Sequence, residues 1–168
     1  MRILNETRGI TIRSAKQSDM DRIVDMLKRL KKLNEEFDTH FTVSENVEEN
    51  AREYLSGALK DSENRIFLVA DTGKRVEGFM EVFLRKRIYY APEIEARIIE
   101  FYVMPAYRSS GLGKKMVNEL MKELQNRDIK LISSEFPSMN LIARNFYEKL
   151  GFRQLLSIYG KRVGQKKQ

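Results

Sequence analysis

Apolar residues along this chain recur with the two spacings that distinguish strands from helices. Ile10 and Ile12 alternate with polar residues, and this period of two predicts a first strand over residues 9–14. The spacing then changes to three and four residues, which predicts a helix over 18–34 and a second over 45–60. The first third of the chain is therefore predicted to hold one strand and two amphipathic helices.

The middle of the chain predicts an antiparallel hairpin and a further strand. Residues 65–71 form an apolar run, and residues 76–88 alternate apolar with charged side chains. Between them lies Asp71-Thr-Gly-Lys74, a combination typical of a tight turn. Another apolar strand is predicted over 96–103.

Helices and strands alternate in the last third of the chain. The periodicity predicts helices over 111–126 and 138–150, with strands over 130–136 and 152–162. The full order, βααβββαβαβ, indicates an α/β (α+β mixed) fold. In such a fold a mixed central sheet carries helices on both faces.

Length and composition indicate one globular domain. The chain has 168 residues, of which 42% are hydrophobic and 33% charged. We expect a single domain over 1–168, with a core over about 9–160 and a basic tail over 161–168. The chain has no cysteine, which excludes disulfides, thiolate zinc sites and a cysteine nucleophile. We find neither a signal-peptide pattern nor a long apolar run, so we expect a cytoplasmic protein without a membrane partner.

The charge balance is basic, with 31 Lys and Arg against 24 Asp and Glu and a net charge of +7. A basic protein favours polyanionic partners, here a nucleotide cofactor, a ribosome or another nucleic acid. A basic but merely solvated surface is an equal alternative. The charge alone does not decide between them.

The most informative segment joins a strand that ends near Pro105 to the start of a helix. The connecting loop, Arg108-Ser-Ser-Gly-Leu-Gly113, contains two glycines, and Lys114 follows it. Backbone N–H groups at a helix start are unpaired, and the helix dipole favours an anion there. The loop therefore predicts a site that holds a phosphate or pyrophosphate by its main chain.

Two familiar phosphate loops do not match this segment. A Walker A loop needs glycine at position 108 and Ser or Thr at position 115, where Arg108 and Lys115 stand. A dinucleotide loop needs a third glycine where Met116 stands. From the loop alone, an ordinary turn before a surface helix stays open as the alternative.

Two motifs, however, resemble those of the GNAT acetyltransferase superfamily. Residues 108–113 match its Arg-x-x-Gly-x-Gly loop, and residues 140–152 match Asn-x-x-Ala-x-x-x-Tyr-x-x-x-Gly-Phe. The resemblance covers about residues 9–160 in element order and is sharpest over 100–152. It implies the GNAT-type acyl-CoA N-acyltransferase fold, acetyl-CoA (coenzyme A) as cofactor, and no metal.

The resemblance also assigns residues to the cofactor. The strand end at 101–103 would pair with pantetheine through its backbone, and the loop would hold the pyrophosphate. Asn140 would bond a pantetheine amide, and a helix N-cap is its alternative role. The resulting acetyl-CoA-binding residues are Phe101, Tyr102, Val103, Arg108, Ser109, Ser110, Gly111, Leu112, Gly113, Lys114 and Asn140.

Acetyl transfer to an amine needs a group that takes a proton from the amine and a weak acid near the leaving sulfur. Tyr147 matches the family's acid, although its spacing also suits a core position. Glu135 and Glu100 compete as base. Glu135 resembles the base position of the family branch that acts on N-terminal amines. Glu100 resembles the base position of the branch that acts on histones. An exposed strand face, or an ion pair with Arg97 or Lys130, is the structural alternative, and ordered water would then serve in place of a carboxylate base.

The resemblance implies an N-acetyltransferase that transfers acetyl directly to a primary amine in a ternary complex. The acceptor would lie between the first two helices and the loop over 84–94. Protein N-termini, lysines, polyamines, aminoglycosides and amino acids stay open as acceptors. The rival hypothesis is a non-catalytic acyl-CoA-binding or RNA/ribosome-associated module on the same fold. A homodimer is compatible with both.

Overall fold

The computed structural model describes residue 7 and residues 9–164. These residues form a five-stranded sheet with helices on both faces. The strands are β1 (Thr11–Ser14), β2 (Arg65–Asp71), β3 (Val76–Lys86), β4 (Ile94–Val103) and β5 (Leu131–Ser134). The helices are α1 (Met20–Phe37), α2 (Val47–Ala58), α3 (Leu112–Asn126) and α4 (Leu141–Lys149). The predicted fold class is confirmed.

The strands lie side by side in chain order, from β1 to β5. The first three pairings are antiparallel, whereas β4 and β5 run parallel, connected through α3. The predicted turn between β2 and β3 is present. Gly73 adopts a positive φ of 81°, and its N–H donates to Asp71 Oδ1 at 2.8 Å.

Two apolar layers cover the two faces of the sheet. α1 and α2 cover one face, and α3 and α4 cover the other. The central strands are buried on both sides, which explains why β2 is an almost continuous apolar run. The α1/α2 layer is built around Ile23, Val24, Met26, Leu55, Val69, Phe79 and Tyr102. The α3/α4 layer is built around Met80, Val82, Ile98, Leu112, Met116, Leu120 and Tyr147.

A β-bulge interrupts β4 opposite β3. Glu100 pairs with Glu81, but Ile98 pairs with Val82, so Ile99 is an extra residue in β4. The bulge keeps Glu100 on the α1/α2 face beside Tyr102. It lies where β4 stops pairing with its other neighbour, β5, and it therefore positions the cleft described below.

The predicted last strand is wrong. Residues 152–162 make no strand, and the segment is exposed apart from half-buried Phe152. A period of two can make a strand only where a neighbouring strand supplies hydrogen-bond partners, and the described residues place none there. The apolar side chains of this segment are exposed: Leu155, Leu156, Ile158 and Tyr159. Residues 165–168 of the predicted basic tail lie outside the described residues.

Some predicted boundaries also shift. α1 continues three residues beyond 34, and β5 is limited to four residues because β4 diverges from it. Met121 of α3 is more than a third exposed. Among the described residues, no helix is both long and apolar enough to cross a bilayer.

An ionic cluster joins β1 to β2 and to the start of α1. The guanidinium of Arg13 donates to both carboxylate oxygens of Asp19, at 2.8 and 3.0 Å, and to Asp71 Oδ2 at 2.9 Å. Asp19 also accepts from the N–H of Lys16 at 2.8 Å. The bond from Arg13 holds the pKa of Asp19 below its ordinary value, and the Gly73 N–H and Arg13 lower the pKa of Asp71.

We predict that Arg13→Met makes folding stability less dependent on pH in acid. Carboxylates with lowered pKa stabilise the fold above their unfolded pKa, near 3.9 for Asp, and this stabilisation is lost as pH falls through the folded pKa. The difference in unfolding free energy between wild type and Arg13→Met should therefore shrink from pH 6 toward acid, measured by urea unfolding. Arg29→Met, which removes an exposed pair with Asp25, is the control and should change little. A difference that stays constant with pH would contradict the assignment.

Candidate active site

A cleft opens between β4 and β5 where their pairing ends. The parallel pairing covers Glu95 to Ile98 of β4 against Leu131 to Ser134 of β5, and the N–H of Glu135 adds a last bond to Ile98 O at 3.1 Å. Beyond this point β4 pairs only with β3 among the described residues. The backbone over 101–103 therefore presents an edge to the cleft, and a short 3₁₀ turn connects it to the loop before α3.

The loop ends in a helix start with open space around it. Gly111 adopts a φ of 84°, and its carbonyl accepts the first α-helical bond, from Lys115 N at 3.0 Å. The N–H groups of Leu112, Gly113 and Lys114 precede that bond. A Cβ built on Gly111 would meet nothing within 4 Å. This helix start can therefore receive an anion through its backbone N–H groups and dipole.

The second glycine of the loop has a different role. A Cβ on Gly113 would lie 3.2 Å from the Phe146 ring and 3.6 Å from that of Phe101. These two rings pack against each other, with centroids 5.9 Å apart. Gly113 is therefore required by the packing of α3 on α4 and β4, whereas Gly111 is required by its backbone conformation.

Two of the other loop side chains, Arg108 and Ser110, bond back to the backbone beside the loop. Arg108 Nε donates to Val103 O at 3.1 Å, and its guanidinium lies 5.1 Å from the centre of the Tyr102 ring. Ser110 is buried and donates to Tyr107 O at 2.7 Å. The remaining three divide between solvent and core: Ser109 and Lys114 are exposed, and Leu112 is buried.

Asn140 caps α4. Its Oδ1 accepts from Ala143 N at 3.0 Å, which is the capping alternative raised by the sequence. The cap uses the side-chain oxygen and leaves the Nδ2 group compatible with donation to a ligand. Asn140 is buried at the junction that follows β5 and leads into α4.

Tyr147 is buried within an aromatic cluster behind the cleft. Its ring stacks on Phe136 at 5.4 Å and contacts Phe146 and Phe152, both at 5.1 Å. Burial raises the pKa of Tyr147 to about 12, and the nearby Ser134 of β5 offsets part of that rise. Tyr147 therefore keeps its proton at neutral pH, so it can donate a proton but is unsuited to accept one.

Glu100 lies on the α1/α2 face beside the bulge, with 17% of its side chain exposed. It pairs with Lys31 of α1, and not with Arg97 or Lys130 as the sequence suggested. Burial raises the pKa of Glu100; Lys31 opposes this shift, and the neighbouring carboxylate of Glu81 adds to it. A carboxylate with a raised pKa binds a proton more readily than an exposed one does.

Glu81 belongs to the same cluster, and sequence reasoning missed it. Its side chain is 1% exposed, accepts from the Tyr54 hydroxyl at 2.5 Å and pairs with Arg65. Burial raises the pKa of Glu81 as well. A signal was present: Glu81 alternates with Phe79 and Phe83 on one face of β3, where a carboxylate needs a partner.

Glu135 has a more open environment than Glu100. Its side chain is 51% exposed, and one oxygen lies 3.4 Å from Arg97 Nη1. Arg97 also binds Glu95 at 3.0 Å, while Lys130 pairs with Asp128. The structure thus brings Glu135 to the mouth of the cleft but attaches it to a surface ion-pair network.

The loop over 87–93 forms an exposed edge beside the sheet. Ile88, Tyr89 and Tyr90 are exposed, and the Arg87 guanidinium lies 5.1 Å from the centre of the Tyr90 ring. Aromatic side chains thus lie on the surface of the loop that the sequence analysis placed beside the acceptor. Within residue 7 and residues 9–164, no group of three or more His, Cys, Asp or Glu side chains could hold a metal ion.

Comparisons with known proteins agree with this geometry. The model of the acetyltransferase (GNAT) family matches residues 29–152. The chain is similar to a ribosomal protein bS18-alanine N-acetyltransferase of Haemophilus ducreyi, at 34% identity over 61 residues, which cover 36% of this chain and 42% of that protein. It is also similar to an uncharacterised N-acetyltransferase of Methanocaldococcus jannaschii, at 26% identity over 154 residues. That match covers 92% of this chain and 65% of the relative, so the chain spans less than two thirds of both relatives.

Solved structures share the fold. A predicted acetyltransferase from Clostridium acetobutylicum, solved with acetyl-CoA, superposes with a TM-score of 0.74 at 16% identity. The match covers 92% of this chain and 96% of that structure. At this identity the likeness concerns the fold alone.

We predict that Lys31→Met raises the pKa of Glu100 further, because the ammonium that favours the ionised carboxylate is removed. The measurement is a ¹³C NMR titration of the glutamate carboxyl carbons, with Glu100→Gln used to assign the resonance. Lys32→Met is the matched control, since Lys32 is the next residue of α1 and its side chain is exposed. An unchanged Glu100 titration in Lys31→Met would show that the ion pair does not form in solution.

Proposed function

Because the chain belongs to the GNAT acetyltransferase family, we propose that it transfers an acetyl group from acetyl-CoA directly to a primary amine. The observation that carries this proposal is the cleft between β4 and β5. Within the described part of the chain, its β4 wall has a backbone edge without a strand partner on that side, and the edge leads to the N–H groups at the start of α3. A chain-like ligand ending in a pyrophosphate suits both features.

The residues present fit acetyl-CoA. The backbone over 101–103 would hydrogen-bond the pantetheine amides, with Asn140 Nδ2 as a further donor. The start of α3 would hold the pyrophosphate, and the open space at Gly111 permits its approach. Arg108 and the exposed Lys114 would add positive charge. When bound, acetyl-CoA supplies the activated acyl group.

Glu100 is our choice for the base. An amine must lose a proton before it can attack a thioester, and Glu100 combines a raised pKa with a position at the bulge, near the point where β4 and β5 stop pairing. Glu135 is half exposed and engaged with Arg97, which suits it less for this role. Glu81 lies opposite Glu100 across the strand pair and would strengthen the attraction for a cationic amine.

Tyr147 would act as the acid. Its pKa of about 12 keeps the phenol protonated, and its ring belongs to the α3/α4 layer, on the other face of the sheet from Glu100. The base and the acid would thus approach from opposite faces of the sheet. This arrangement suits direct transfer, because the amine enters on one side and the leaving sulfur lies on the other.

The acceptor would lie between α1, α2 and the loop over 87–93. Two carboxylates of that region, Glu81 and Glu100, favour an acceptor that arrives as a cation. The similarity to a ribosomal-protein alanine N-acetyltransferase supports a protein N-terminus among the candidates. A protein N-terminus also has a lower amine pKa than lysine, so a smaller fraction of it is protonated at neutral pH and has to lose a proton before it reacts.

The proposed function is tested by incubating the protein with acetyl-CoA and a panel of peptides and small amines while free thiol is measured. Thiol release that depends on an amine supports it. Saturable binding of acetyl-CoA without turnover on any acceptor would instead favour the non-catalytic alternative. RNA binding that weakens steeply with salt would point to the ribosome-associated version of that alternative.

We predict that Gly111→Ala weakens coenzyme A binding by at least about tenfold, because the new Cβ imposes strain at a positive φ and enters the space of the pyrophosphate. Isothermal calorimetry measures the effect. Gly73→Ala is a matched control: Gly73 also has a positive φ and open space at its Cβ, but it lies in the β2–β3 turn. Equal coenzyme A affinities for the two variants would show that the pyrophosphate does not bind at this loop.

We predict that Glu100→Gln lowers kcat at neutral pH by roughly 10²–10⁴-fold, with activity recovering as pH rises and the free amine becomes available. Glu135→Gln, which removes a carboxylate at the mouth of the same cleft, should lower kcat by less than about tenfold. The pH profiles of kcat for both variants provide the measurement. The reverse ranking would assign the base to Glu135 instead.

A further inference from the structure

The ammonium of Lys31 lies where the proposed mechanism puts the amine of the acceptor. Lys31 extends from α1 over the sheet and hydrogen-bonds the carboxylate of Glu100. If Glu100 takes the proton of the acceptor, a group that hydrogen-bonds Glu100 already makes the contact with the base that the acceptor amine needs. Lys31 is a primary amine, and 35% of its side chain is exposed.

The geometry points to Lys31 as an internal acceptor: we propose that the protein acetylates its own Lys31. This inference rests on the proposed function and names a modification site on the chain itself. It requires no motion of α1 to bring the amine to the base, because the two groups are already in contact. Proximity of this kind converts a bimolecular step into an intramolecular one.

The reaction balances without any further reactant. The Lys31 ammonium gives one proton to Glu100, and the freed lone pair on Nζ attacks the acetyl carbonyl carbon. The carbon–sulfur bond breaks and its electron pair leaves on sulfur. The second proton lost from Nζ is balanced by protonation of the thiolate, for which Tyr147 is the proposed donor. The products are Nζ-acetyl-lysine, coenzyme A as the thiol, and one proton released through Glu100 to solvent.

The surrounding charges favour this lysine. Glu81 lies across the strand pair from Glu100 and raises its pKa, which makes Glu100 a stronger proton acceptor. Arg65 and Tyr54 hold Glu81 in place from the opposite side. The ammonium of Lys31 therefore faces two carboxylates, while Arg65 is engaged by one of them.

The same helix contains a matched control. Lys28 lies one turn before Lys31, has 34% of its side chain exposed, and also pairs with a glutamate, Glu48 of α2, at 2.6 Å. Exposure, helix position and ion pairing are thus nearly equal for the two lysines. They differ in that the carboxylate partner of Lys28 lies at the surface between two helices, away from the cleft.

The experiment is a time course of the wild-type protein with acetyl-CoA and no added amine, followed by peptide mass spectrometry. We expect Lys31 to be acetylated at least about tenfold faster than Lys28, at a rate independent of protein concentration. In Glu100→Gln the rate at Lys31 should fall to that at Lys28. Lys31→Arg, which keeps the positive charge, should show no modification at position 31 and unchanged acetylation of Lys28.

A second measurement gives the functional consequence. Acetylation removes the cation that opposes the pKa rise of Glu100, so the acidic limb of the pH profile with an external amine should move to higher pH. If external amines are acetylated but Lys31 reacts no faster than Lys28, the internal-acceptor proposal is wrong while the proposed function stands. If neither external amines nor Lys31 react, both fail.

Discussion

The bulge at Ile99 is the constraint on which the rest of the site depends. One extra residue in β4 changes which side chains face α1 and α2, and it lies where β4 and β5 stop pairing. The same local irregularity therefore places the Glu100 carboxylate, frees the backbone edge over 101–103 and opens the way to the start of α3. A regular strand of the same sequence would turn Glu100 into the apolar α3/α4 layer, where an ionised carboxylate is strongly disfavoured.

Burial of two carboxylates on one face of a sheet must be compensated, and the structure does so with groups from several elements. Glu81 receives Tyr54 from α2 and Arg65 from β2, and Glu100 receives Lys31 from α1. One cation therefore comes from a covering helix, α1, and the other from the sheet itself, β2. Because Lys31 and Arg65 belong to separate elements, the pKa of each carboxylate can be shifted without changing the apolar layer beneath it.

Most of the fold could be predicted from local patterns, because apolar residues spaced at two or 3.6 positions show which face of a strand or helix is buried. The four helices and five strands follow from them. Residues 152–162 show the limit: the apolar pattern there is real, but a strand also needs a partner that no local pattern specifies. The pairing of Lys31 with Glu100 joins residues 69 positions apart, which only the three-dimensional packing of α1 brings together. Glu81 could have been found, since a carboxylate within an apolar row of β3 signals a buried partner.

Tyr147 illustrates why motif and packing interpretations need not exclude each other. Its ring is a core residue between Phe136, Phe146 and Phe152, and the burial that makes it so also raises its pKa to about 12. The acid proposed for Tyr147 must be protonated before sulfur develops negative charge, and the raised pKa is consistent with that state at neutral pH. Gly113 supports the same cluster, because any side chain there would displace Phe146. The glycine of the phosphate loop and the phenol of the proposed acid are therefore parts of one packed unit.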